Sequence, residues 1–217
     1  MASIAVIGGT GHLGKGIARR LAKAGHEVTI GSRAAEKGEA IAAEMGLGTK
    51  GASNDDAAQG KDVVIVTVPY ENQEATLKQI KDKVGSAIVV DTTVPLVPPK
   101  VMRVQLPAAG SAAAEAREHL GPDIRFVTAF HNVAAHILDT DAKVDCDVLV
   151  FSDDIEARNT VVGLVNDMEL RGLSGGALVN SAAAEAITSL LIYMNKTYKA
   201  DGAGIRFTGL TTAPAIP

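Results

Sequence analysis

Short apolar runs alternate along the chain with segments whose apolar residues recur every three to four positions. This is the pattern of an α/β protein with a mainly parallel sheet. Residues 3–8 predict a first strand and residues 12–25 a helix, with Leu13, Ile17, Leu21 and Ala22 on one face and Lys15, Arg19, Arg20 and Lys23 on the other. Gly25 is placed to close that helix. A second strand is predicted over 27–30, an Ala- and Glu-rich helix over 34–44, and a short strand over 50–52. The cluster Ser53-Asn54-Asp55-Asp56 should cap a brief helix. Residues 62–68 form a nearly continuous apolar run, as expected of a central strand covered on both faces, and Pro69 ends it. Helix 71–84 and strand 87–90 follow, then a proline-broken loop over 94–99. Helix 112–120, strand 124–130, strand 147–151 and helix 154–170 continue the series. Residues 181–198 predict a long helix, capped by Asn180 or Ser181, whose apolar residues spread over nearly all faces. Such a helix is normally buried in a core or at a subunit interface. The tail 211–217 has turn and proline composition and is expected to be loosely held.

Glycines sharpen the first βαβ unit. Gly9, Gly11 and Gly14 fit G-x-G-x-x-G between a strand and an amphipathic helix, with a second strand at the right distance. In a dinucleotide site one glycine permits the tight turn, one lets backbone approach the pyrophosphate, and one allows close helix–strand packing. The helix N-terminus at Thr10-Gly11-His12-Leu13 then offers N–H groups to phosphate. The alternative is a purely structural turn.

The second strand ends in Ser32-Arg33, where an NAD-binding protein would carry Asp or Glu for the ribose 2′-hydroxyl. A carboxylate would repel a 2′-phosphate, whereas guanidinium binds one in bidentate fashion. Lys37 lies four residues on, on the same side if both residues are helical. Unless Arg33 and Lys37 are ordinary solvated charges, the pair of segments reads as an NADP(H) site.

Strand ends at Val68-Pro69 and at Thr93-Val94 should lie on the carboxyl edge of the sheet, where ligands of open α/β sheets bind. His131 follows another such strand. It could hydrogen-bond an acceptor ring, donate a proton, or be a structural histidine satisfied by backbone.

Composition narrows the alternatives. The 217 residues are 47% hydrophobic but only 3% aromatic, with no Trp and a net charge of −4. A nucleic-acid binder would need a basic face and stacking side chains. The single Cys146 leaves no disulfide framework and no multi-thiolate metal site, and no metal is expected. Hydrolytic motifs are missing, so hydride transfer, in which the cofactor carries the chemistry, fits better. No secretory signal or membrane span is expected, and a cytoplasmic setting follows.

The segments Ile-Gly-Gly-Thr-Gly-His-Leu-Gly-Lys-Gly and Gly-His-Glu-Val-Thr-Ile-Gly-Ser-Arg resemble the NADPH-dependent coenzyme F420 reductases (F420:NADP oxidoreductases). The likeness continues through Thr67-Val68-Pro69-Tyr70, Val89-Val90-Asp91, Val94-Pro95 and Ala129-Phe130-His131-Asn132. It implies a doubly wound Rossmann-type domain over 1–175, a small C-terminal helical portion over 176–217, and a homodimer exchanging hydride between NADP(H) and coenzyme F420. Carried over by position, Thr10, Gly11, His12 and Leu13 would bind pyrophosphate, and Ser32, Arg33 and Lys37 the 2′-phosphate. Val68, Val94 and Ala134 would line the nicotinamide side, and His131 with Thr188 would face the deazaflavin. The chain departs from the family pattern at Ala182 and Ala186, where an arginine and a further hydroxyl are expected. That departure keeps open an NADPH-dependent reductase of a flavin, metal chelate, or small carbonyl or imine. A non-catalytic NADP(H)-responsive binding protein is a third reading.

Overall fold

A computed structural model describes residues 1–210; the tail 211–217, expected to be loosely held, lies outside them. The eight strands are β1 (Ser3–Ile7), β2 (Glu27–Ser32), β3 (Lys50–Ser53), β4 (Val63–Val66), β5 (Ile88–Asp91), β6 (Phe126–Thr128), β7 (Asp147–Phe151) and β8 (Arg171–Gly176). They form one sheet in the order β3-β2-β1-β4-β5-β6-β7-β8, parallel throughout except between β6 and β7. The helices are α1 (His12–Lys23), α2 (Ala35–Met45), α3 (Asn54–Ala58), α4 (Gln73–Ile80), α5 (Ala112–Leu120), α6 (Ala135–Leu138), α7 (Ile155–Asp167) and α8 (Ser181–Tyr198). This is the doubly wound, mainly parallel architecture expected.

Side-chain alternation along the central strands explains the two-faced core. In β1, Ile4 and Val6 join one apolar cluster with Ile17 and Leu21 of α1, while Ala5 and Ile7 join another with Leu77 and Ile80 of α4. In β4, Val63 and Ile65 face the first cluster, and Val64 and Val66 the second. Every residue of β4 is buried, so the apolar run has the two-sided cover it predicted.

Local chemistry sets most element ends. Ser53 caps α3 by accepting from the Asp56 amide, as its sequence suggested. Ser111 and Asp154 cap α5 and α7 by accepting from the amides three residues on. Gly25, at φ +89, takes the left-handed turn after α1.

Two elements escaped the pattern. β8 (Arg-Gly-Leu-Ser-Gly-Gly) is a half-buried edge strand without alternation. Its glycines are required by proximity: a Cβ on Gly172 would sit 2.9 Å from the Val162 carbonyl, and one on Gly175 would overlap the Phe151 ring. α6 is a single turn, tied to α1 because Arg20 donates to the carbonyls of Leu138, Thr140 and Ala142. Strand 62–68 also proves shorter, and helix 71–84 opens as a 3₁₀ turn over Tyr70–Asn72. Among the described residues no helix is long and apolar enough to cross a membrane.

Candidate functional site

The strand order reverses between β1 and β4, and this switch point opens a crevice at the carboxyl ends of the strands. The glycine turn sits there. Gly8 leaves β1 at φ +70, and a Cβ on it would lie 2.6 Å from Val68 Cγ1. The turn is held by Thr10 N donating to Gly8 O (2.8 Å) and Gly9 N to Gly31 O (3.1 Å). An added Cβ on Gly9 would fall 2.7 Å from the Val6 carbonyl, and one on Gly14 would fall 2.5 Å from Gly9 Cα. A Cβ on Gly11 would meet nothing within 4 Å. Packing therefore demands Gly9 and Gly14, while Gly11 leaves open room beside the helix start. Gly11 is also the N-cap of α1, without a side-chain cap bond and with no acidic residue in the first turn. An uncapped, dipole-positive helix end beside open space is what a pyrophosphate requires. Of the flanking residues, Leu13 packs onto the sheet core, and His12 Nδ1 lies 2.9 Å from Asp139 Oδ2.

β2 runs two residues farther than predicted and ends on a buried Ser32, paired with Ser53 of β3. Arg33 precedes the extended N-cap Ala34, and α2 starts at Ala35. The expectation that Arg33 and Lys37 share a helical face is therefore corrected, because only Lys37 is helical. The two instead flank the N-terminus of α2, both exposed. Neither makes an ion pair with any of the described residues. A serine hydroxyl and two exposed cations at this strand end fit a ribose 2′-phosphate.

β4 and β5 deliver the next residues side by side. Thr67 Oγ1 donates to Ile7 O (2.9 Å), and Thr92 Oγ1 donates to Val66 O (3.0 Å). Val68 and Val94, both half-buried, leave these two strands in parallel. Beyond the exposed Pro69, the Tyr70 phenol donates to Glu115 (2.7 Å); its burial and that carboxylate push its pKa up to about 12. Ala134 is the N-cap of α6 and is backed by Gly202, whose added Cβ would lie 2.9 Å from it.

At the end of β6 the chain turns through Phe130, a non-glycine residue at φ +67, into a buried His131 and Asn132. Strain of this kind persists only where surroundings over-determine it. Asn132 Nδ2 donates to Ala184 O (2.8 Å) and Thr188 Oγ1 (2.9 Å), and Thr188 Oγ1 lies 2.9 Å from His131 O. The Thr188 hydroxyl thus anchors the His131 loop to α8. His131 Nε2 is 3.3 Å from Ser181 Oγ, while Nδ1 has no hydrogen-bond partner among the described residues. Burial lowers the His131 pKa to about 4, so the ring is neutral at pH 7.

Two buried carboxylates lie alongside. Glu185 accepts from the backbone of Ala112 (2.6 Å) and Ala113 (3.2 Å) and from Ser181 Oγ (2.9 Å). Asp91 accepts from Gln73 Nε2 and Thr93 Oγ1, both at 2.6 Å; burial raises its pKa to about 6 despite those donors, and Glu185 adds to the rise.

Comparison with known proteins places this geometry. The family described as NADP oxidoreductase, coenzyme F420-dependent, matches residues 3–95. The chain is 41% identical to the F420-dependent NADP reductase of Methanocaldococcus jannaschii, across 95% of this chain and 98% of that protein. It is 40% identical to the F420-dependent NADP reductase of Methanothermobacter thermautotrophicus, across 95% of each. The chain belongs to the F420-dependent NADP reductase family.

Among solved structures, a chain assigned as an F420-dependent NADP reductase from Arthrobacter sp. FB24 superposes with a TM-score of 0.83 at 22% identity, over 96% of this chain and all of that one. A pyrroline-5-carboxylate reductase from Coxiella burnetii does so at 0.61 and 16%, over 91% and 70%. At these identities the likeness is one of fold.

The family match spans β1 to β5 and so contains the glycine turn, Ser32, Arg33, Lys37, Val68 and Val94. His131, Ala134 and Thr188 lie beyond it, within the stretch aligned to the reductase relatives. Sequence reasoning missed the groups that surround His131, namely Ser181 and Glu185, and the Asp91–Gln73 pair. One signal was available, since Glu185 is the only charged residue among the first fifteen of α8. Ala182 and Ala186 lie beside Ser181 and Glu185 at the half-buried start of that helix.

Proposed function

We infer that the protein transfers a hydride between NADP(H) and coenzyme F420. The observation that carries this reading is the open room at Gly11 beside an uncapped helix end, with Ser32 and Arg33 at the neighbouring strand end. Gly11, His12 and Leu13 would hold the pyrophosphate through backbone N–H groups, with Gly9 and Thr10 shaping the turn beneath it and Gly14 letting the helix pack close, and Ser32, Arg33 and Lys37 would take the 2′-phosphate. When bound, NADPH would supply the hydride that reduces oxidised F420, with the accompanying proton drawn from solvent.

The chain's own part is binding, alignment and exclusion of water. Val68, Pro69, Val94 and Ala134 would give the nicotinamide an apolar wall. His131 and the loop that Thr188 anchors would lie on the acceptor side. Holding two flat rings at reacting distance accounts for most of the expected rate gain, because it removes the entropy cost of a bimolecular encounter. Neutral His131 fits hydrogen bonding to a ring better than delivery of a proton from imidazolium.

We further propose that residues 1–175 bind NADP(H), that 176–217 complete the acceptor site, and that the molecule works as a homodimer in the cytoplasm. The exposed apolar stripe of α8, Leu190, Tyr193, Met194 and Tyr198, supports the dimer.

Mixing purified protein with NADPH and F420 should bleach the oxidised deazaflavin absorbance, whereas FMN or FAD should be reduced far more slowly. No turnover with F420 at high enzyme concentration would overturn the reading.

A further inference from the structure

We propose that Ser181 and Glu185 are positioning residues that hold His131 in a single neutral tautomer, with its proton on Nε2, so that the Nδ1 lone pair is presented to an N–H donor of a bound cofactor ring. The proposal deepens the hydride-transfer reading above and rests on it for the identity of the ring.

The direction of each hydrogen bond follows from counting protons. Both oxygens of Glu185 accept backbone N–H groups from the first residues of α5, Oε2 from Ala112 and Oε1 from Ala113. Burial raises the Glu185 pKa against these donors, yet with both oxygens taken by N–H groups it is the ionised carboxylate, which only accepts, that matches the arrangement. The one hydroxyl proton of Ser181 therefore goes to Glu185 Oε1, 2.9 Å away. That leaves Ser181 Oγ as an acceptor toward its two other neighbours, Thr128 Oγ1 at 3.0 Å and His131 Nε2 at 3.3 Å. For His131 to occupy that position Nε2 must carry the proton, and Nδ1 in a neutral ring then carries none.

Nδ1 is fully buried and has no partner among the described residues. A buried acceptor without a donor is costly, and such groups call for an explanation. Here the ring has little freedom to find a donor within the protein. Phe130 sits at φ +67 on one side, Asn132 is clamped to α8 on the other, and the Phe151 ring lies 5.9 Å from the imidazole centre. The donor assigned here arrives with a ligand, and because Nδ1 is closed off in the free protein, binding must part the packing on that side of the ring. The nicotinamide carboxamide and the pyrimidinedione ring of a deazaflavin both offer an N–H of the required kind.

The test uses 15N-histidine-labelled full-length protein without cofactors, with the His131 signals assigned by their loss in His131→Gln. The expected wild-type spectrum has Nδ1 in the unprotonated range and Nε2 in the protonated range. Ser181→Ala should draw the two resonances together as tautomers mix, and Ser181→Thr, which keeps the hydroxyl, should restore them. Adding NADP⁺ alone or F420 alone should then shift Nδ1, and the one that does so identifies the donor.

A proton on Nδ1 in the free protein would overturn the proposal without recourse to any variant. So would unmoved resonances in folded Ser181→Ala, or an Nδ1 signal that neither cofactor shifts. Because the tautomer is read on cofactor-free protein, failure of F420 reduction with the Nε2–H tautomer intact would count against the hydride-transfer reading alone.

Discussion

Gly11 and Gly14 belong to the same fingerprint but answer to different constraints. Gly14 is needed by the fold, since any Cβ there would strike Gly9. A Cβ on Gly11 would meet nothing among the described residues, so packing does not require its lack of a side chain, and its place at the start of α1 leaves that space to a ligand. Two substitutions separate these roles. Gly14→Ala should cost about 1–3 kcal/mol of stability by overpacking, read as a lower urea midpoint. Gly11→Ser should leave the midpoint unchanged or slightly higher, because serine is a good N-cap. It should nevertheless weaken NADP⁺ binding at least about tenfold, since the hydroxyl takes the amides that phosphate would use. Equal loss of stability in both variants, or unimpaired NADP⁺ binding in Gly11→Ser, would contradict the assignment. These glycine roles were legible because spacing alone encodes them. The surroundings of His131 were not, because Ser181 lies 50 positions away and nothing near residue 131 announces it.

Among the elements, β5, α5 and α8 meet around two buried carboxylates, and this junction has a pH signature. Asp91 has a pKa near 6 in the fold against a usual 3.8. Well below pH 3.8 it is protonated in both states; between about 4 and 6 the folded protein holds a proton that the unfolded chain releases. Its relative contribution to folding is therefore most favourable in acid and is lost as pH rises through 6. His131 acts in the opposite sense, its stabilising contribution being lost as pH falls from its usual 6.5 through about 4. Comparing wild type with Asp91→Asn cancels the histidine term. The difference in unfolding free energy should shift by about 2 kcal/mol toward wild type between pH 7.5 and pH 4, measured by urea titration. A difference that stays flat with pH would show that Asp91 titrates normally.

Elements with a clean period, such as β1, α1, β4 and α5, were readable from the chain. β8 was not, because as a glycine-rich edge strand it has few side chains to pack and its residues are chosen by the closeness of α7 and Phe151. The single turn of α6 is too short to show a period at all.

At the level of the whole molecule, α8 carries the remaining question. Its composition predicted burial on nearly all sides, yet only Ser181, Ala184, Glu185 and Ser189 are buried in the protomer. The polar and small residues face inward, while Leu190, Tyr193, Met194 and Tyr198 face out, Tyr198 at 69% exposure. Since residues three and four apart share a helix face, the four make one apolar stripe. The loop between β5 and α5, tied to α8 by Ser189 Oγ donating to Arg103 O, carries two further exposed apolar residues, Val104 and Leu106. Water is a poor neighbour for a contiguous patch of this kind, and a second copy of the same helix offers a self-complementary cover under two-fold symmetry. The double substitution Leu190→Glu with Tyr193→Glu should therefore convert a dimer to a monomer in sedimentation velocity. Because both positions lie on the outward face, far-UV circular dichroism and NADP⁺ binding should stay as in wild type. The decisive contrast is the acceptor: KM for F420 should rise in the monomer while KM for NADPH holds, if the partner helix helps to close the F420 side. A wild-type protein that sediments as a monomer would remove the dimer, and a monomeric variant with unaltered F420 kinetics would confine α8 pairing to assembly.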